Sequence, residues 1–182
     1  PSLQQFFISL GAFGGGSFTP DAAAYVAGGT EEKAADALHQ LAALSLVQPV
    51  AAQRFALHPL LRVYAGEKQT TPAADTRMAT YYIRHSVTYQ DDMQALRREL
   101  DNIVFALDVA RRQSLTDLFV QGVLTLSPTW RTMGNQIQAI PYLEQALAQT
   151  THPHEKAEIM LELGSSCWAV GQFRKAKSLF EH

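Results

Sequence analysis

The sequence predicts a mainly α-helical chain built from two unlike parts, and three observations carry that reading. Apolar residues recur at three- and four-residue spacing along most of the 182 residues. Two short β-prone runs near residue 50 stand alone among the helical segments. The C-terminal third matches itself at an offset of 37 residues, the mark of a repeated structural unit.

A hydrophobic content of 47% with 18% charged residues supports one large helical core or two small ones. The formal net charge is -2, with 15 basic and 17 acidic residues interspersed, which is not a nucleic-acid-binding balance. The single cysteine, Cys167, has no partner for an internal disulfide, and no N-terminal stretch joins a basic flank to an apolar core and a cleavage site. These features point to a cytoplasmic location. No apolar run approaches the roughly 20 residues needed to cross a bilayer. The chain begins at Pro1 without a methionine and stops at His182 inside a repeat, so it reads as a piece of something longer.

Leu3, Phe6, Phe7 and Leu10 mark a first short helix within 2–13, ended by Gly11 and the run Gly14-Gly15-Gly16. Thr19 as N-cap, Pro20 at the first helical position and Asp21 in the first turn start a second helix that runs to about Ala27, before Gly28-Gly29. Thr30 repeats the signal, and a third helix carries Ala34, Leu38, Leu41 and Ala42 on one face, closed by Leu44. Ser45 to Val50 and Arg54 to Leu57 read as a hairpin with Ala51-Ala52-Gln53 at its tip, and Pro59 opens a helix through about Glu67. Three helices, a hairpin and a helix within 1–68 form the winged-helix pattern, a helix-turn-helix variant with a β-wing.

The polar stretch from Gly66 to Asp75, with Pro72, suits a boundary. A helical linker follows over 69–114. Met78, Tyr81, Tyr82, His85 and Tyr89 mark one helix face, and Met93, Leu96, Leu100, Ile103, Leu107 and Ala110 mark the next. Over 115–182 the offset pairs Leu126 with Leu163, Trp130 with Cys167, Gly134 with Gly171, Ala139 with Ala176 and Leu143 with Phe180. Each copy places a glycine to break its first helix and a small residue five positions later, so that the second helix packs closely. The second copy resembles the tetratricopeptide repeat at Leu163-Gly164, Gly171, Phe173, Ala176 and Phe180. Cys167 departs from the usual aromatic there, Pro128 and Pro141 predict a kink or early helix end in the first copy, and the last copy is truncated.

Taken in order, nearly the whole chain resembles the arm that follows the nucleotide-binding core in signal-transducing STAND ATPases of the NB-ARC group, which includes bacterial regulators. Phe13-Gly14 through Ala27, Ala37-Leu38 through Val47, and Arg54 through Ala65 resemble its winged-helix segment. Glu99-Leu100-Asp101-Asn102-Ile103 with Ala106-Leu107 resembles the helix ahead of its repeats. The resemblance implies ADP or ATP as the ligand of a parent protein, bound by a phosphate loop of the type GxxxxGK[ST] that this sequence lacks. Gly11 to Gly16 has no following lysine and reads as a turn between helices. The resemblance also implies a role for His58: it falls where that family places a winged-helix histidine on the β-phosphate of bound ADP. The competing reading is a partly buried histidine that fixes the strand–helix junction.

The remaining candidates read structurally. His152 and His154 lack a third ligand at suitable spacing and suggest a solvated loop. Cys167 reads as a small apolar residue in a helix interface. Trp130, Trp168 and the tyrosines at 81, 82 and 89 read as packing, and Asp91-Asp92 as a helix start. Glu31, Glu32, Lys33 and Asp36 leave the third helix net negative, and the wing tip has only Arg54 beside it, which argues against a phosphate-tracking surface. The sequence therefore predicts a non-catalytic regulatory arm, with the winged helix contacting a nucleotide core and the repeats binding a protein or peptide. The alternatives are a stand-alone repeat adapter and a DNA-binding transcriptional regulator. No nucleophile–base pair, metal cluster or phosphate loop supports an enzyme within these residues.

Overall fold

A computed structural model describes residues 2–14, 16–51, 53–69 and 72–181 of the chain. Gly15 of the glycine run, Ala52 of the wing tip and Thr70-Thr71 of the linker lie outside the described residues. The mainly helical expectation is met: ten α-helices and one two-stranded antiparallel sheet are present among the described residues. Internal contacts divide the chain into two compact units, residues 1–82 with 98–109, and residues 83–97 with 110–182.

The first unit opens with α1 (Leu3–Ser9), where Ser2 and Gln5 form a reciprocal capping box, and the chain tightens into a 3₁₀ turn over Leu10–Ala12. In α2 (Pro20–Ala27) the Thr19 hydroxyl accepts from Ala22 N, Pro20 occupies the first turn, and Gly28 closes the helix at φ 71°. α3 (Glu31–Ala43) buries Ala34, Leu38 and Leu41, and its cap position, Thr30, makes no side-chain bond. β1 (Gln48–Ala51) pairs with β2 (Arg54–Ala56) in a short irregular ladder, with Pro49 opposite Phe55. Phe55 also exchanges both backbone hydrogen bonds with Phe18, so the hairpin is tied to the loop before α2. The stacked rings of Phe13 and Phe18, 4.2 Å apart, fill the core beneath that bridge.

α4 (Pro59–Glu67) follows the hairpin and packs on the 3₁₀ turn and α1. The approach is close because Gly11 has no side chain: a Cβ there would lie 2.5 Å from Gly66 N. α5 (Ala73–Thr88) and α6 (Met93–Arg112) each contribute residues to both units. Residues 98–109 of α6 run against the glycine loop. A Cβ on Gly14 would fall 2.1 Å from the Phe105 ring, and one on Gly16 would fall 2.7 Å from Asn102 Oδ1. The loop's glycines therefore serve this contact with α6 as well as the turn read from the sequence.

The second unit is built around α7 (Thr116–Met133), α8 (Gln136–Gln149), α9 (Pro153–Ala169) and α10 (Phe173–Phe180). The 37-residue offset holds in the backbone. Gly134 and Gly171 both adopt left-handed φ values, 76° and 79°, at the hairpin turns. Leu126, Leu163, Trp130, Cys167, Ala139 and Ala176 are all buried. The prolines correct one expectation: α7 and α8 continue through Pro128 and Pro141 without an early end. Both prolines are exposed, so the carbonyl that each leaves without a donor, four residues earlier, lies on the outer side of its helix within reach of water. Ala176→Leu is expected to overpack the second hairpin and lower stability by about 1–3 kcal/mol. A thermal melt unchanged by the substitution would mean that α9 and α10 leave room there.

Candidate functional site

His58 stands at the junction of β2 and α4, behind the buried Leu57 and directly ahead of Pro59. It is the N-cap of α4, and its Nδ1 accepts the Leu60 backbone N–H at 3.3 Å. A neutral ring that accepts at Nδ1 carries its proton on Nε2. The ring is exposed, so that N–H is presented to solvent as a donor for an oxygen acceptor. The competing reading is met only in the junction bond, since the imidazole is not buried.

Beside His58 the outer face of α4 is apolar and open: Leu60, Val63 and Tyr64 are 74%, 57% and 52% exposed. These residues stand three and four apart, on the side of the helix away from buried Ala65. Lys68 lies over the Tyr64 ring at 5.5 Å. The sequence reading gave Leu60, Val63 and Tyr64 no role beyond the helix that Pro59 opens. The signal for a second apolar face was present: Leu60, Leu61, Val63, Tyr64 and Ala65 are more apolar residues than one side of a nine-residue helix can bury.

Arg54, Glu99 and Asn102 form a second constellation that the sequence reading did not assemble. Arg54, at the start of β2, donates from Nη1 to Glu99 Oε1 and from Nη2 to Glu99 Oε2 at 3.0 Å. It also donates from Nε to Ser17 Oγ at 2.8 Å and from Nη2 to Ser17 O at 2.6 Å. Asn102 Nδ2 reaches the same Ser17 carbonyl at 3.0 Å and Glu99 Oε2 at 2.9 Å. Both ion-pair side chains are nearly enclosed. The hydrogen bond to Glu99 raises the Arg54 pKa, with burial pulling the other way. The bidentate geometry clamps α6 to the wing strand and to the loop before α2, which makes this a structural tie. Of the residues brought together here, Glu99 and Asn102 belong to the segment that resembles the helix ahead of the repeats.

The other candidates separate. Asp92 Oδ1 accepts from Gln94 N and Ala95 N, both at 3.0 Å, so it starts α6. Trp130 and Tyr82 are core residues, whereas Trp168 and Tyr89 are partly exposed and pack on neighbouring rings, Tyr89 on His85 at 4.5 Å. Trp168 meets Phe173 edge-on at 5.0 Å on the surface. Cys167 is buried, and burial pushes its thiol pKa up. His152 occupies the cap position of α9, and His154 lies 4.0 Å from Glu158. No group of three His, Cys, Asp or Glu able to hold a metal occurs among the described residues. No helix among the described residues is long and apolar enough to cross a membrane. An open groove of about 700 Å³ runs along α1, α2 and α3, but its two charges, Lys33 and Asp36, are opposite and its floor is largely alanine and glycine.

No protein-family model, curated protein or solved structure matches this chain. The resemblance to the STAND arm therefore stands on the segments quoted from the sequence.

Proposed function

We propose that the chain is the regulatory, non-catalytic arm of a STAND-type signalling NTPase, with a winged helix that folds back on the parent's nucleotide core and tetratricopeptide-like repeats that bind a partner protein. The observation that carries this reading is the placement of His58. Its Nε2 side is open, its other nitrogen is held by the cap of α4, and the adjacent apolar face of Leu60, Val63 and Tyr64 is unused by the unit's own core. An exposed donor beside an exposed apolar patch suits docking on a surface that presents a phosphate oxygen. ADP or ATP would belong to the parent's core, and no catalytic group of this chain is required.

The experiment uses the full parent protein and His58→Asn, because asparagine keeps the helix cap and removes the imidazole. One hydrogen bond to a charged group is worth roughly 1.5–3 kcal/mol, so ADP release should accelerate about ten- to hundredfold. The melting temperature of the 182-residue chain should stay unchanged. Wild-type ADP release in the variant would sink the proposal.

The adapter reading is favoured by one observation, the exposed Trp168–Phe173 pair of the second unit. An adapter would capture its peptide with the same affinity in the wild type and in His58→Asn, whatever the nucleotide state. DNA binding is the least supported function. Glu31, Glu32 and Asp36 are exposed on α3 with Lys33 alone to offset them, and β1 exposes only Gln48, Pro49, Val50 and Ala51. An anisotropy titration of the chain against duplex DNA at low salt is expected to show no tight, salt-dependent binding. A saturable titration whose midpoint shifts steeply with salt would reverse that order of readings.

A further inference from the structure

The outer face of α4 carries a stripe whose two ends differ in chemistry. Leu60, Val63, Tyr64, Glu67 and Lys68 recur three and four apart, and all five are exposed. At the N-terminal end stands a donor: the exposed His58 ring, held by the bond from Leu60 N to Nδ1, turns Nε2–H to solvent. At the C-terminal end stands an acceptor, the Glu67 carboxylate, which forms no ion pair among the described residues. Lys68 is drawn aside over the Tyr64 ring at 5.5 Å. A stripe with a donor at one end, an acceptor at the other and apolar residues between is complementary to itself when turned end for end.

We propose that α4 pairs antiparallel with α4 of a second copy of this chain, about a two-fold axis at Val63. In that arrangement Val63 meets its own symmetry mate, and Leu60 packs on Tyr64 of the second copy. His58, just ahead of Leu60, then faces Glu67 of the second copy, just beyond Tyr64. The two-fold axis makes the Leu60–Tyr64 contact and the His58–Glu67 bond twice each. That bond joins an N–H to a carboxylate, the stronger class of hydrogen bond. Antiparallel helices also set the positive end of one macrodipole beside the negative end of the other. A parallel pair would lose both gains, since it sets donor against donor and Glu67 against Glu67. An α4 stripe entering the groove along α1, α2 and α3 of another copy would leave that copy's α4 free and extend without closing, whereas two-fold pairing closes on itself. One stripe of a nine-residue helix on each side is below the size of a standard interface, so the dimer is weak. The inference goes beyond the nucleotide-core reading and does not need it. A core seated on α4 would exclude the second copy, so the pairing belongs to a chain whose α4 is free.

The test is sedimentation equilibrium of the 182-residue chain from micromolar to millimolar concentration. A monomer–dimer equilibrium is expected, with a midpoint on the order of 100 µM for so small a patch. Val63→Glu sets two carboxylates together on the axis and should weaken the dimer at least about tenfold. Its circular dichroism should be unchanged, because Val63 is 57% exposed. His58→Asp keeps the helix cap and reverses the character of that end. Alone, His58→Asp or Glu67→Arg should weaken the dimer severalfold, and the two combined in one chain should restore it. A chain that stays monomeric up to millimolar concentration would overturn the proposal. So would a dimer indifferent to Val63→Glu, or a combined variant as weak as the single ones. Growth beyond the dimer would give the stripe to the groove along α1, α2 and α3 and overturn the assigned pairing. ADP release in the parent and self-association of the chain are separate readouts, so either reading can fail alone.

Discussion

Arg54→Ala should lower the stability of the first unit by about 3–5 kcal/mol, the loss expected when one partner of a buried ion pair is removed and the other stays behind. The substitution takes away both contacts to Glu99, the bond to Ser17 Oγ and one of the two donors on Ser17 O. Glu99 would keep only Asn102 Nδ2, with its side chain 8% exposed. Arg54→Met combined with Glu99→Met should recover most of the loss, because two apolar side chains of similar length remove the unpaired charge altogether. Urea unfolding of Arg54→Met, Glu99→Met and the double variant gives the coupling directly. A single-variant loss below about 1 kcal/mol would show that water reaches the pair and that the clamp has little weight.

Trp130→Ala should cost the second unit about 3–5 kcal/mol, since the indole is wholly buried at the turn of the first hairpin and stacks on Tyr142 at 5.4 Å. Trp130→Phe should cost far less, under about 1.5 kcal/mol. It keeps the ring stack and removes Nε1, a buried donor with no partner among the described residues. Chemical denaturation followed by circular dichroism distinguishes the two variants. Equal losses would mean that the indole N–H is satisfied or that the second ring fills irreplaceable volume.

Local signals were legible where one residue settles the backbone. Thr19-Pro20 set the start of α2, Gly134 and Gly171 the hairpin turns, and Asp92 the start of α6, because caps and left-handed turns act within a few residues. The repeat was legible because both copies bury Leu126 and Leu163, Trp130 and Cys167, and Ala139 and Ala176, whereas Phe180 is half exposed where Leu143 is buried. His58 was legible only through resemblance; that it caps α4 follows from a backbone bond no spacing rule announces. The clamp was hidden for a different reason. Ser17, Arg54 and Glu99 lie far apart in sequence, and Glu99 and Asn102 interrupt an apolar stripe in a way that reads as a solvated face until the partner loop is known. The early helix end expected at Pro128 and Pro141 did not follow, since both prolines lie on exposed faces where water can meet the carbonyl that each leaves without a donor.

The clamp on α6 also bears on the order in which the chain can fold as it is made. Arg54 waits for a carboxylate 45 residues downstream, and the Ser17 carbonyl waits for an amide 85 residues downstream. A nascent chain that has emerged only as far as Glu67 holds every helix and strand of the wing but leaves Arg54 and the glycine loop facing solvent. Non-local closure of this kind comes late, after the entropy of the intervening loop has been spent. Completion of the first unit is therefore expected only once residue 109 has cleared the ribosome, by which point both helices of the linker have been synthesised. The intermediate before that point leaves uncovered the apolar surface that residues 73–82 and 98–109 bury, including the Phe13 ring that meets Tyr82 at 6.2 Å, and is the species most exposed to aggregation.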